Sequence, residues 1–369
     1  MNPALTLFDS CSENTQSSVG GMSDNVYLRR LSSFSRERAS RGKRALVSLF
    51  CGGGGLDVGL NLAGFATKVC SDLSPAFVDS VTFNLPHAVG IAEDAIKLTG
   101  QRIFELAGTH EIDLMAAGPP CQSFSILGRR GALDDPRGKL ALKYFDLIQE
   151  VQPKAFIFEN VPGLISVNSG EDWKLLYDYA KKKTGYTLYL GRLNAFQFGI
   201  PQYRERVVLV GFKNKDTHFE FPTRPTGTLA KDLMRDMPTT GTPSSWALLE
   251  VENLQNHKVR IHGERVKARY KKIQPGDRDR IDHTDRIDGD RPSGTVLVGS
   301  GAGGGRPHIH PYQDRVITVR EAARLQSFPD WYVFQGTPTA QYRQVGNAVP
   351  PLMAYEVGIA IAKALDGIL

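Results

Sequence analysis

The chain has 369 residues, 41% hydrophobic and 23% charged, which excludes a disordered polymer and allows about two domains with a core that needs no staples. No stretch offers the ~18 uncharged apolar residues of a membrane span. Four scattered cysteines without a CxxC pair argue against a disulfide framework and a structural zinc site. Forty-five basic against 39 acidic residues give +6, a mild bias toward a polyanionic partner. Met1–Asp9 lacks the basic and apolar pattern of a secretory signal, so a reducing, cytoplasmic setting is expected.

Residues 1–44 hold nine serines, and Val26–Arg44 carries seven basic residues against one acid. The expectation is a partly disordered, solvated N-terminal extension, or an arm that touches nucleic-acid phosphates. From Ala45 the pattern alternates. A strand over Ala45–Phe50 runs into Cys51 and four glycines, and helical spacing runs from Leu56 to Gly64. A second strand, Ala66–Ser71, ends at Asp72, and Pro75 opens a helix through Asn84. Further strands are predicted at Ile112–Ala117, Ala155–Glu159, Tyr186–Asn194 and Val207–Phe212, with a helix carrying Leu140, Tyr144, Leu147, Ile148 and Val151. The alternation predicts an α/β fold with a mostly parallel sheet and helices on both faces.

Beyond Lys213 prolines break the pattern, Asn253–Lys272 holds seven basic residues against one acid, and Gly299–Gly305 has five glycines in seven positions. A second, smaller and irregular domain of mostly β and loop structure is expected over 213–336. Helices are expected at Arg320–Ser327 and Pro351–Leu365.

Glycines after a first strand let a ligand approach the backbone beside free helix N–H groups. Gly52–Gly55 spell neither a phosphate loop nor a dinucleotide fingerprint, since no Gly-Lys-Ser/Thr follows and Asp57 and Val58 stand where the third glycine would fall. The loop therefore binds something other than a pyrophosphate, or is only a tight turn. Asp72 at a strand end can accept ribose hydroxyls, and Asp94, one strand on, an amine N–H. In series they suggest a nucleoside cofactor without phosphates.

Cys121 follows Gly118-Pro119-Pro120 at a strand end, where open α/β sheets place ligands, and is a candidate nucleophile. Glu159 closes an apolar strand, a position where a carboxylate is costly unless used or paired. Gln202, Arg204 and Arg206 share one side at period two if a strand begins there; the alternative is a surface ladder of ion pairs.

The ordered set resembles the cytosine-C5 DNA methyltransferases of bacterial restriction–modification type. Its pieces are Ser48–Gly55, Asp72, Asp94, Gly118–Ser125, Asp135–Gly138, Glu159-Asn160-Val161, the Gln202/Arg204/Arg206 triplet, Thr318–Pro329 and Gly346–Pro350. Together they cover about Ala45–Phe212 and Arg315–Leu369, in family order. The resemblance implies a Rossmann-like, S-adenosylmethionine-dependent catalytic domain over 45–212 and 337–369, with 213–336 as the target-recognition domain. It implies methyl transfer to carbon 5 of a cytosine flipped out of a specific duplex DNA sequence, through a covalent adduct of Cys121 at carbon 6. Glu159, its pKa raised by burial, would serve N3. Arg206 would approach O2, and Arg204 would order the carboxylate and the flipped nucleotide's backbone.

By the same carry-over, Phe50 stacks on adenine, Asp72 takes the ribose hydroxyls and Asp94 the adenine amine. Gly52, Gly53, Gly54, Leu56, Leu73, Ala95, Pro120, Leu140, Asn347 and Val349 complete the cofactor site; no metal is implied. Asp72 stands where relatives commonly have Glu, and Cys51 where they have alanine. Gln122–Arg137 would close over the flipped base, with Gln122, Ser125, Arg129, Arg130 and Arg137 on DNA. Lys258, Arg260, Arg265, Lys267 and the Gly299–Arg306 loop would face DNA in the second domain. A monomer acting on nucleoid DNA is expected, with a separately acting cognate restriction endonuclease as a possible counterpart. The alternatives are a tRNA cytosine-C5 methyltransferase, whose Cys-Phe-Thr signature is missing here, and a catalytically inactive DNA-binding relative, against which intact Cys121, Glu159 and Arg206 speak.

Overall fold

The computed structural model describes residues 25–120, 138–227, 230–249, 251–297 and 308–367. Two short helices, α1 (Val26–Ser33) and α2 (Arg36–Ala39), lead into β1 (Arg44–Leu49), α3 (Gly55–Leu62), β2 (Phe65–Asp72), α4 (Pro75–Asn84) and β3 (Val89–Ala92). Then come α5 (Gly100–Ala107), β4 (Leu114–Ala117), α6 (Gly138–Val151), β5 (Ala155–Asn160), α7 (Gly163–Ser166), α8 (Glu171–Thr184), β6 (Thr187–Asn194) and β7 (Glu205–Phe212). Short helices α9 (Ala230–Asp236), α10 (Glu264–Tyr270) and α11 (Val319–Leu325) precede α12 (Pro338–Asn347) and α13 (Pro351–Leu365).

The seven strands form one sheet in the order β3-β2-β1-β4-β5-β7-β6, with β7 antiparallel to both neighbours and the other pairs parallel. The order reverses between β1 and β4, the switch point where such sheets open a crevice at their carboxyl edge. Successive strand residues face opposite sides. Leu46, Ile157 and Val208 join the core under α3 and α13, whereas Val47, Phe156 and Leu209 join the core under α5, α6 and α8. Pro75 and Pro351 each open their helix at its first position, where a missing N–H costs nothing.

The expected solvated extension is not what residues 25–44 form. Asn25 caps α1, and Val26, Tyr27, Leu28, Arg30 and Leu31 are buried. The Tyr27 hydroxyl donates to the Arg324 carbonyl at 2.5 Å. Arg30 pairs with Glu356 of α13 at 2.6 Å, and Glu356 also accepts from the Thr226 amide at 2.9 Å. The apolar positions 27, 28, 31 and 34 lie on one helical stripe, and this stripe covers the main core.

The expected boundary at 336 also shifts. Helix α11 is buried throughout and packs with α12 in the same core as α3 and α13. Trp331 donates to the Phe34 carbonyl at 2.6 Å, and Asn84 to the Val333 carbonyl at 2.7 Å. Residues 317–336 thus pack on the sheet body. Between 251 and 316 a small separate core forms from Tyr270, Ile309 and Val316. The β structure expected in that region is limited, among the described residues, to isolated bridges such as Arg278 with Asp285 and Ile309 with Val316. No single described helix is long and apolar enough to cross a membrane.

Candidate active site

The carboxyl edge of the sheet gathers the chemistry-bearing residues. Strand β1 runs into Phe50, Cys51 and the glycines. Gly54, with φ at 73°, caps α3 in the left-handed conformation that glycine adopts without penalty. Phe50 also has φ of 54°, an unfavourable conformation for an aromatic residue that the surrounding loop must enforce. Its ring is half-buried.

Asp72 closes β2. Its carboxylate accepts from the Gly52 and Ser74 amides, each at 3.0 Å, and so braces the glycine loop from the next strand. Burial pushes its pKa up, and these two N–H groups oppose the rise. Leu73, just beyond, is 75% exposed. Asp94 is exposed after β3 and caps a short turn by accepting from the Ile96 amide at 3.0 Å, with Ala95 buried beneath. The α12–α13 junction meets the same loop: a Cβ on Gly53 would lie 2.4 Å from the Gln344 carbonyl oxygen, and one on Gly55 2.0 Å from that of Val349. Asn347, exposed, and Val349, buried, therefore stand against the loop. Pro120 is exposed at the end of the β4 loop, and Leu140 is half-buried on α6.

Glu159 lies on the α3/α13 face of β5, two residues beyond Ile157. Strand β7 runs antiparallel beside it, with Glu159 opposite Val208, so Arg206 is a diagonal neighbour on the same face. The Arg206 Nε donates to the Glu159 carboxylate at 2.7 Å, with both side chains largely buried. Burial raises the Glu159 pKa, while the positive charges of Arg206 and Arg204 and the Arg206 hydrogen bond oppose the rise. A Cβ on Gly118 would stand 2.8 Å from a Glu159 carboxylate oxygen, so the β4 loop passes closely over the acid. Asn160 ties that loop down by donating to the Pro119 carbonyl at 3.0 Å. A small cavity beneath Glu159 is lined by Leu56, Ile157, Val208, Val349 and Met353, which joins the acid to two of the expected cofactor residues.

Gln202 and Arg204 precede β7 rather than lying in it, and neither is on the surface. Gln202 accepts from the Val296 amide at 3.1 Å. Arg204 donates to the Gly346 carbonyl at 2.7 Å and to the Val296 carbonyl at 3.4 Å. Its hydrogen bonds therefore join the 251–316 segment to the α12 end beside Asn347, and none of them goes to the carboxylate of Glu159, which Arg204 was expected to order. Asn160 and Asp57, both buried with defined partners, were given no role from sequence. The carboxylate–arginine pairing of β5 with β7 is a product of sheet topology, and no sequence spacing announces it. A wider groove lined by Lys154, Lys213, His218 and Asp366 lies at the opposite edge of the sheet, where Ala155 pairs with Phe212.

Cys121, Gln122, Ser125, Arg129, Arg130 and Arg137 lie outside the described residues, as does the Gly299–Arg306 loop. Lys258, Arg260, Arg265 and Lys267 are exposed, the last paired with Glu264 at 3.0 Å on α10. Among the described residues no cluster of His, Cys, Asp and Glu could hold a metal ion.

Residues 45–363 match the family model of the C-5 cytosine-specific DNA methylases. The chain belongs to that family. Among its relatives, the Type II methyltransferase M.XorII of Xanthomonas oryzae is 33% identical over 362 residues, covering 86% of this chain and 84% of the relative. M1.HphI of Haemophilus parahaemolyticus is 32% identical, covering 86% of each. In structure, a prophage-encoded E. coli protein described as a DNA modification methyltransferase superposes with a TM-score of 0.69 at 25% identity, over 88% of this chain and all of that one. The S. pombe Dnmt2 methyltransferase, at 0.62 and 21% identity, shares the fold. The methylase's reaction is S-adenosylmethionine-dependent methylation of cytosine at carbon 5 in DNA.

Proposed function

We propose that this methylase acts on a cytosine flipped out of a specific duplex sequence, and that Cys121 forms a covalent bond to carbon 6 of that base. The observation that carries the reading is the buried Glu159–Arg206 pair at the carboxyl edge of the sheet, directly under the loop that leads to Cys121. Carbon 5 of cytosine is a weak nucleophile within an aromatic ring. Thiolate addition at carbon 6 makes it enamine-like and drives electron density onto N3 and O2. A buried carboxyl with a raised pKa can hold a proton for N3. Arg206, fixed by its bond to Glu159, offers its remaining donors toward O2, and such preorganised donors supply ~3–4 kcal/mol each. Loss of the carbon-5 proton and of the sulfur restores the ring.

The glycine loop fits S-adenosylmethionine, which supplies an electrophilic methyl group and carries a nucleoside but no phosphate. Asp72 and Asp94 would repel a phosphate but suit ribose hydroxyls and an adenine amine. Exposed Leu73 and half-buried Phe50 leave apolar surface beside them for a base. Gly52, Gly53, Gly54, Leu56, Ala95, Pro120, Leu140, Asn347 and Val349 complete that cradle. Arg204 is proposed to order the catalytic carboxylate through the backbone it braces. Lys258, Arg260, Arg265 and Lys267, with Gln122, Ser125, Arg129, Arg130 and Arg137, are proposed to contact DNA.

The Type II names of the relatives support a restriction–modification role; a separately acting nuclease, a monomeric enzyme and action on chromosomal DNA in the cytoplasm belong to the same proposal. Expression in a host without cytosine-C5 methylation, followed by methylome sequencing, tests this. The expected result is 5-methylcytosine at one sequence context, lost in Cys121→Ser. Methylation confined to tRNA would reverse the substrate, and full methylation by Cys121→Ser would refute the nucleophile.

A further inference from the structure

An acidic residue in the first turn of a helix ordinarily turns toward the free N–H groups there. Asp57, in the first turn of α3, meets its own backbone N–H there, but it is also fully buried and reaches into the sheet. Its carboxylate accepts from the Ser48 hydroxyl of β1 at 3.0 Å and from the Thr67 hydroxyl of β2 at 3.3 Å. One turn on, Asn61 donates to the Asp57 carbonyl at 2.7 Å and to the Thr67 hydroxyl at 2.6 Å. The Asn61 side-chain oxygen accepts from the Thr67 amide and lies 3.3 Å from His87 Nε2. Ser48 is two residues before Phe50, and Asp57 is two residues after Gly55, so this network holds both ends of the glycine loop. The floor of the loop is equally closed. The Tyr332 hydroxyl stands 2.3 Å from where a Cβ on Gly54 would be.

We propose that Asp57 is a positioning residue for cofactor binding, its buried carboxylate tying Ser48 and Thr67 to the start of α3 and thereby fixing the shape of the loop at 50–54. The inference rests on reading that loop as the cofactor cradle. Burial pushes the Asp57 pKa up from 3.8 to about 6. A carboxylate kept in the core at a cost to the fold points to a use other than stability. The ionised form accepts from both hydroxyls. The protonated form gives up one acceptor position, and the loop ends slacken. The contribution to cofactor affinity is therefore present above about pH 6 and lost below it.

Stability runs the other way. Between 3.8 and about 6 a rising pH ionises the unfolded chain first, so Asp57 weakens the fold as pH climbs through that window. The titratable groups beside Asp57 are Cys51, raised in pKa first by its hydrogen bond with Cys70 and then by burial, and Tyr332, raised by burial. Asp72 lies beyond Cys51. His87 connects through Asn61, its pKa lowered by burial and by Lys68.

The test is calorimetric binding of S-adenosylmethionine to the full chain and to Asp57→Asn at pH 7.5 and 5.0. Asp72 and His87 titrate in both proteins, so the ratio of the two Kd values isolates Asp57. The expected ratio is about tenfold at pH 7.5, the size of a lost hydrogen bond to a charged group, and within about twofold at pH 5.0. At pH 7.5 the cofactor KM rises by the same factor while kcat falls less than about threefold, and the variant's relative Tm improves from pH 5.0 to 7.5. Ser48→Ala, a milder change, should loosen binding about threefold at pH 7.5 and keeps the test decisive if Asp57→Asn does not fold. A ratio near one at both pH values, or an equal loss at both, overturns the proposal. Phe50→Ala and Asp72→Ala separate the two claims. If these bind cofactor normally, the cradle reading fails and Asp57 falls with it. If they lose binding while Asp57→Asn and Ser48→Ala match wild type, Asp57 alone falls.

Discussion

The sheet body and the segment from 251 to 316 are built to different standards. The body buries two large cores on the faces of one sheet and fixes its polar side chains with short bonds, as in the Glu159–Arg206 pair at 2.7 Å. The segment has a separate core of three buried hydrophobic residues, lends Ile287 and Val296 to the main core, and carries ion pairs such as Arg286–Asp314 at 2.6 Å and Arg278–Asp285 at 3.6 Å. The proposed chemistry, which depends on angstrom-level placement, falls on rigid elements, and the proposed DNA contacts, which need only reach a phosphate or a groove, fall on surface side chains. Variants in the body should therefore change the reaction or the fold, and variants in the segment should change binding alone.

The largest effect belongs to Cys121→Ser, predicted to abolish measurable methyl transfer while S-adenosylmethionine binding, followed calorimetrically, is retained. Next, Glu159→Gln should lower kcat by about 10²–10³-fold, the usual scale for loss of a positioned acid. Burial raises the Glu159 pKa, so the protonated form is lost as pH climbs through that raised value. Wild type should therefore show an alkaline fall in kcat/KM that is absent in Glu159→Gln; an unchanged alkaline limb in the variant would remove Glu159 as the acid.

Arg30→Ala sharpens the comparison from the body's far side. It leaves Glu356 buried without its partner, and ~3–5 kcal/mol of stability should be lost, read as a lower urea midpoint. An unshifted midpoint would mean that α1 is peripheral. The smallest effect is expected from Lys258→Ala with Arg260→Ala. The DNA Kd should rise about tenfold and the slope of log K against log salt should shrink by about 2, with Tm unchanged. A large drop in Tm instead would break the distinction between the two regions.

Much of the body was legible because its signals are local. Pro75 and Pro351 marked two helix starts, and the apolar runs Ala45–Phe50, Ala66–Ser71 and Ile112–Ala117 marked the strands β1, β2 and β4. Helix α1 was missed because serines and arginines dominated the composition of its region, although Asn25 and the stripe at 27, 28, 31 and 34 were present to be read. Within the site, Asp72, Glu159 and Arg206 stood out as charges at strand ends. Their partners did not: Arg206 meets Glu159 only because β7 inserts antiparallel beside β5, and Arg204 reaches Gly346 across 142 positions of chain. Long-range register of this kind has no local sequence signature. Asp57 was passed over because its place beside the glycine loop does not mark it as buried, whereas Glu159 stands at the end of an apolar strand.

The central claim, a covalent bond between Cys121 and the target base with Glu159 and Arg206 steadying the ring, is most directly tested by trapping. A duplex carrying 5-fluorocytosine at the mapped site, incubated with the methylase and S-adenosylmethionine, cannot shed its carbon-5 substituent as a proton. The account predicts a denaturation-stable complex whose peptide map places the base on Cys121, and none with Cys121→Ser. A wild-type enzyme that methylates ordinary DNA yet yields no such complex, or one attached to another residue, would contradict it.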